Sequence, residues 1–186
     1  MDTFNWGVLG TGLIANEFAE DLALLPKAVL HSCHSRTFEK AEKFANQFGF
    51  SHNHHELNTF LGDPDLDIVY IATPNHLHHS HAIECIRAGK HVIIEKPIAL
   101  NTKQCNEIAE VARKHQRFCM EAVWTRFMPV YQRIQELLEH EAIGKIKMFT
   151  ADFGHIMPYK PEGFRFSLQT GGGALMDLGV YPISLA

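Results

Sequence analysis

Short apolar runs at near-regular spacing are the feature that most limits what this chain can fold into. Trp6 to Leu9, Ala28 to Cys33, Asp67 to Ala72, His91 to Ile94 and Phe118 to Ala122 read as strands. Between them lie stretches of helical period. The first runs from Leu13 to about Leu25, with Ile14, Phe18, Leu22 and Leu25 on one face. Thr37 to Phe48 is a second helix, capped by Thr37 and ended by Gly49. Leu77 to Ala88, stopped by Gly89, and Thr102 to His115 are further helices. Strands apolar on both faces that alternate with helices predict an α/β fold, a doubly wound parallel sheet covered on both sides. This domain is expected to span residues 1–121.

From residue 122 the pattern changes. Pro129 to Glu141 is helical, with Val130, Ile134, Leu137 and Leu138 on one side and Gly144 as a stop. Lys147 to Phe153 alternates and predicts a strand of a second sheet. Pro158, Pro161 and Gly163 mark a loop, and Gly171-Gly172-Gly173 precedes a last helix from about Ala174. A lone strand is not stable by itself. Residues 122–186 therefore read as the start of an α+β domain, in a chain expected to be truncated.

The composition excludes several classes. A net charge of -4 argues against nucleic acid as a partner. The apolar runs are too short to cross a bilayer, and the N-terminus lacks a secretory signal pattern. Cys33, Cys85, Cys105 and Cys119 form no CxxC pair and read as reduced core thiols, so a cytoplasmic location is expected. His52, His54 and His55 cluster, as do His76, His78, His79 and His81. They read as solvated histidines on a loop and a helix start, and no metal is expected.

Gly10-Thr11-Gly12-Leu13-Ile14-Ala15 fits G-x-G-x-x-G/A, placed after the first strand and opening the first helix. The first glycine allows a tight turn, the second lets backbone approach a pyrophosphate, and Ala15 keeps helix and sheet close. The helix N-terminus favours the anion through its free N–H groups and dipole. Dinucleotide sites for NAD carry an acid at the end of the second strand, about 20 residues on. Here that place reads Cys33-His34-Ser35-Arg36-Thr37, with no carboxylate between Asp21 and Glu39. Ser35 and Arg36, with Lys40 one turn along, suit a 2′-phosphate, so NADP is expected over NAD.

Ligands of open α/β sheets bind beyond the C-terminal strand ends. Glu95-Lys96-Pro97 lies at such an end, and Lys96–Pro97 is a candidate cis bond. Lys96 could hold charge near a substrate oxygen, although spacing alone favours a surface lysine. Thr73-Pro74-Asn75 follows the preceding strand, and Asn75 and His78 could bond the cofactor or its ribose. Asp177 and Tyr181 lie four residues apart on the last helix and share a face. Tyr181 suits a general acid for a carbonyl and Asp177 could orient it; a capping Asp and a core Tyr fit equally.

Together these motifs resemble the glucose-fructose oxidoreductase / inositol dehydrogenase (Gfo/Idh/MocA) family. The carriers are Gly10 to Ala15, Thr73-Pro74-Asn75 with His78, Glu95-Lys96-Pro97, and Gly171 through Asp177 to Tyr181. Met120 to Pro129, with Trp124 and Arg126, is similar to the branch of dimeric dihydrodiol dehydrogenases and NADP-dependent D-xylose dehydrogenases. That branch also favours Tyr where many relatives have His. The resemblance implies a Rossmann domain, Lys96 as catalytic lysine, Tyr181 as proton donor or acceptor, and Asp177 as support. It implies Trp124 and Arg126 at the nicotinamide and substrate pocket. It further implies hydride transfer on a sugar, polyol or trans-diol, and a homodimer or larger assembly. The competing expectation is a non-catalytic NADP-binding module or inactive fragment, for which Lys96 and Tyr181 would be superfluous.

Overall fold

A computed structural model describes residues 3–186. The chain divides into two compact units, Met1–Glu121 and Ala122–Ala186. The first unit carries the alternation in its expected order. Its strands are β1 (Phe4–Leu9), β2 (Ala28–His34), β3 (His52–His54), β4 (Ile68–Ile71), β5 (His91–Glu95) and β6, which starts at Cys119 and ends at Ala122. Its helices are α1 (Leu13–Leu22), α2 (Phe38–Phe48), α3 (Leu57–Leu61), α4 (Asn75–Arg87) and α5 (Thr102–Lys114). The strand order is β3-β2-β1-β4-β5-β6. β1 runs parallel to both β2 and β4, β2 parallel to β3, and β4 parallel to β5. The order reverses between β1 and β4, which opens a crevice beyond their C-terminal ends.

Local chemistry explains the element ends. Thr37 caps α2 by accepting from the Lys40 amide, and Gly49 ends it in the left-handed conformation. Asn101 caps α5 by accepting from the Gln104 amide at 3.0 Å. The central strands bury both faces: Leu9, Val69, Ile71, Val92 and Ile94 pack with Phe60, Ile83, Ile86 and Ile108. Fully burying such a side chain contributes about 1.5–3 kcal/mol.

The face of α1 differs from the expected one. Ala15, Ala19 and Leu22 are buried, whereas Ile14 and Leu25 are exposed. Small residues let the helix lie close against the sheet, and this turns Ile14 outward beside the glycine turn. The histidine expectation is also corrected. His52 to His54 form edge strand β3 rather than a loop, and α3 follows it. His78 is fully buried and His34 nearly so. Of the cysteines, Cys33 and Cys85 are buried, while Cys105 and Cys119 are half-buried. Burial pushes the Cys33 thiol up to about 12. Among the described residues, no helix is long and apolar enough to cross a membrane, and no His, Cys, Asp and Glu group is arranged to hold a metal.

The second unit holds α6 (Pro129–Glu139), a π-helical turn over Leu175–Gly179, and α7 (Val180–Leu185). Pro129 opens α6, where its missing N–H costs nothing. None of α6 is buried, so its apolar side, with Val130 and Leu137 exposed, covers no core of its own. Residues 147–153 carry no strand, contrary to expectation. A strand is held by its ladder partners, and the described residues supply none there.

Candidate active site

The β1–α1 turn is built by two glycines with different jobs. Gly10 has φ of +101°, and a Cβ there would lie 2.7 Å from the Ala72 carbonyl oxygen. Its amide donates to the His34 carbonyl at 3.0 Å, which fastens the turn to the end of β2. Gly12 sits at the N-cap of α1 in extended backbone (φ -81°, ψ -175°), and a Cβ there would meet nothing within 4 Å. That open space lies directly before the first turn of α1, where no side chain caps the backbone N–H groups. Free donors and a positive helix end with room for close approach fit a pyrophosphate. Leu13 and Ile14 stand exposed on the same turn.

The end of β2 continues this edge. The Thr11 and Ser35 hydroxyls are 2.9 Å apart, so the glycine turn and the β2 end hold one another. Ser35 is buried; Arg36 and Lys40 are exposed, and neither forms an ion pair among the described residues. Two exposed cations within five residues of a hydroxyl suit a phosphate monoester.

Across the switch point, Thr73, Pro74 and Asn75 form the turn from β4 into α4. His78, one turn into α4, reaches two carbonyls. Its Nδ1 is 2.8 Å from the Pro97 oxygen and its Nε2 2.7 Å from the Thr73 oxygen. The ring is fully buried with both nitrogens occupied. His78 therefore stands between the two turns that carry Thr73 and Pro97. Burial drives its pKa down, against the two carbonyls that favour the charged ring. A neutral ring donates from one nitrogen only. His81 Nδ1 lies 3.0 Å from the Thr73 hydroxyl. Burial, then the charges of His34, His78 and His76, hold it near 4, so it is neutral at physiological pH.

Lys96 follows β5, half-buried, and its bond to Pro97 is cis, as expected. Glu95 is buried. Its Oε1 accepts from the Tyr70 hydroxyl at 2.5 Å and its Oε2 from the Lys96 amide at 3.1 Å. Burial raises the Glu95 pKa above the ordinary carboxylate value, with Tyr70, the Lys96 amide and the Lys96 charge opposing. Glu95 thus shapes the Lys96 turn from beneath, with both oxygens spent on protein donors. Glu121, on β6, accepts from the Ile98 amide at 2.9 Å and holds the far side of that turn.

Sequence reasoning missed Tyr70, Glu121 and His81. A signal existed for the first two: each is a polar-tipped residue within an apolar strand run, and a buried polar tip demands a partner. Tyr70 is further fixed by stacking on Phe18, with ring centroids 3.6 Å apart.

In the second unit, the Trp124 indole N–H donates to the Tyr181 hydroxyl oxygen at 3.1 Å. Trp124 and Phe153 both meet the Tyr181 ring edge-on, at 5.9 and 5.2 Å between centroids. Asp177 Oδ2 lies 3.2 Å from Arg165 Nε. Asp177 stands in the π-helical turn and Tyr181 in α7, so a wider turn separates them than an α-helix would give. Arg126 lies in a single 3₁₀ turn, Trp124–Phe127.

A parallel sheet in this order, with a glycine turn against a helix N-terminus at its switch point, defines a dinucleotide-binding Rossmann domain. Residues 4–123 match the model of the oxidoreductase family with NAD-binding Rossmann fold, and residues 131–186 match the GFO/IDH/MocA C-terminal domain. The chain belongs to the Gfo/Idh/MocA oxidoreductase family. It is 38% identical over 179 residues to trans-1,2-dihydrobenzene-1,2-diol dehydrogenase of Xenopus laevis, covering 95% of this chain and 53% of that protein. The enzyme of that name from Mus musculus is 34% identical over 178 residues, with the same coverage. The chain thus spans about half the length of the curated relatives it matches. Among solved structures, a 3-ketoreductase from Actinomadura kijaniata in complex with TDP-benzene and NADP, in an open conformation, superposes with a TM-score of 0.85 at 32% identity. That match covers 98% of this chain and 54% of the other. An NAD binding oxidoreductase from Klebsiella pneumoniae gives a TM-score of 0.84 at 30% identity, covering 98% and 52%.

Proposed function

We propose that this chain is the cofactor half of an NADP-dependent oxidoreductase acting on the carbinol or carbonyl carbon of a sugar, polyol or trans-dihydrodiol. The observation that carries the proposal is the paired edge of the glycine turn and the β2 end. Gly12 leaves open space before an uncapped helix N-terminus, and Arg36 and Lys40, close to Ser35 in sequence, are exposed and form no ion pair among the described residues. The relatives named as dihydrodiol dehydrogenases, and the ketoreductase named with NADP, support the same class.

The α1 N-terminus and the Gly10–Ile14 backbone bind the pyrophosphate, with Leu13 and Ile14 shielding it from water. Ser35, held by Thr11, donates to the 2′-phosphate, and Arg36 and Lys40 neutralise it. Thr73, Pro74, Asn75 and the turn supported by Glu95 border the nicotinamide end. NADP, when bound, supplies or accepts the hydride. Lys96 places a positive charge where negative charge develops on the substrate oxygen. Tyr181 gives its proton to that oxygen during reduction and takes it back during oxidation. Asp177 orients the substrate, and Trp124 and Arg126 border its pocket.

Fluorescence titration with NADPH and with NADH tests the cofactor assignment. Tight NADPH binding with weak NADH binding is expected, and equal affinity for both would refute the 2′-phosphate role. Turnover screens with sugars and diols then test the substrate class.

A further inference from the structure

The Trp124 to Tyr181 hydrogen bond has a fixed direction. An indole N–H can only donate, so the Tyr181 oxygen must accept. That fills one lone pair and leaves the phenol proton to point elsewhere. The ring is meanwhile gripped by two edge-on neighbours, Trp124 and Phe153, at interplanar angles of 64° and 72°. Edge-on partners restrict the plane of the ring, and the indole donor fixes the rotation of the hydroxyl within it. The tryptophan is itself set by its 3₁₀ turn, in which the Arg126 amide donates to Val123 and the Met128 amide to Thr125. One side chain therefore supplies both a wall and a directed donor to the same tyrosine.

We propose that Trp124 is a positioning residue for Tyr181, acting through its indole N–H. This rests on the role given to Tyr181 above. During reduction the Tyr181 O–H bond breaks and a new O–H bond forms on the substrate oxygen, while hydride from NADPH reaches the carbon. The electron pair of the broken bond stays on the phenol oxygen. The Trp124 N–H already points at that oxygen and becomes a charge-assisted donor as the pair arrives. Its contribution is larger in the transition state than in the ground state, so its loss appears in kcat rather than in KM.

The chain holds two tryptophans, Trp6 and Trp124. In the full chain labelled with nitrogen-15, the two indole N–H signals are resolved and assigned with Trp6→Phe. Tyr181→Phe removes the acceptor and keeps the ring, so the Trp124 indole signal moves to the position of an indole without that bond. A Trp124 signal that stays in place overturns the contact and the proposal. In turnover of trans-1,2-dihydrobenzene-1,2-diol with NADP, Trp124→Phe keeps an aromatic wall and loses the donor. Its kcat falls on the order of ten- to a hundredfold, the loss of one hydrogen bond to a charged group, while KM stays within about twofold. A raised KM with unchanged kcat makes Trp124 a pocket wall only and overturns the positioning role. Full turnover in Tyr181→Phe would instead remove Tyr181 from the chemistry, so the two failures are told apart.

Discussion

Gly12→Ala separates folding from cofactor binding. The backbone at Gly12 is extended and open to alanine, and the added Cβ meets no protein atom within 4 Å. Replacing a glycine in such a conformation stabilises by about 0.4–1 kcal/mol through the unfolded chain. Alanine is a poorer N-cap than glycine, which offsets a similar amount. The expected change in stability is therefore within about 1 kcal/mol of zero. The methyl group projects into the space assigned to the pyrophosphate and pushes the anion off the first-turn amides. Losing one charged hydrogen bond costs about 1.5–3 kcal/mol, so NADPH affinity should fall at least about tenfold. Gly10→Ala is the contrast. Its Cβ would lie 2.7 Å from the Ala72 oxygen at a φ of +101°. The left-handed backbone costs roughly 1–2 kcal/mol and the overlap about 1–3 more. Urea denaturation and NADPH fluorescence titration on both variants read out the two effects. Wild-type NADPH affinity in Gly12→Ala would refute the cradle, and an undiminished midpoint in Gly10→Ala would refute the packing argument.

Arg36→Ala should weaken NADPH at least about tenfold and leave NADH nearly unchanged, the loss of one charged hydrogen bond; equal losses in parallel titrations would count against the 2′-phosphate. Lys96→Met should abolish turnover while NADPH binding persists, and retained turnover would end its catalytic assignment. His78→Leu should destabilise by about 1–3 kcal/mol, because the neutral ring's one N–H is lost and the carbonyl it serves, Thr73 or Pro97, is left without a donor; thermal unfolding measures this. Tyr70→Phe should cost about 1.5–3 kcal/mol at neutral pH by removing a donor to the buried Glu95 carboxylate. The Glu95 pKa is raised in the folded state, so the native protein holds that proton more tightly than the unfolded chain. Stability falls as pH rises from the ordinary carboxylate value through the raised one. Losing Tyr70 raises it further, so the penalty should be full above that window and shrink below it. A penalty independent of pH in denaturation curves would contradict the carboxylate assignment.

Much of the edge formed by the glycine turn and the β2 end was legible because its determinants are local. Strand and helix period, the Thr37 cap and the Gly10 and Gly12 spacing each depend on residues within a turn or two of one another. The missing acid after β2, with Arg36 in its place, is also a short-range fact. The face of α1 was misread because periodicity counts large apolar residues, whereas contact with the sheet selects Ala15 and Ala19 for their small size. The strand expected at 147–153 failed for a related reason: alternation describes a willing strand, and only a partner makes one.

The sequence by itself determined the class of fold and the place of the glycine turn at the head of α1, since these follow from local conformational preference. The tertiary structure decided what each polar side chain does. The adjacency of β4 and β5 puts the Thr73 and Pro97 carbonyls within 2.7 and 2.8 Å of the two His78 nitrogens, which no local pattern foretold. Glu95 and Tyr70, 25 residues apart, meet only because their strands are neighbours, and Glu121 reaches Ile98 only because β6 lies beside β5. Whether a polar group faces solvent, ligand or another buried group depends on which distant segments the sheet order makes adjacent. That information lies in the packing of the whole sheet and in no single window of the chain.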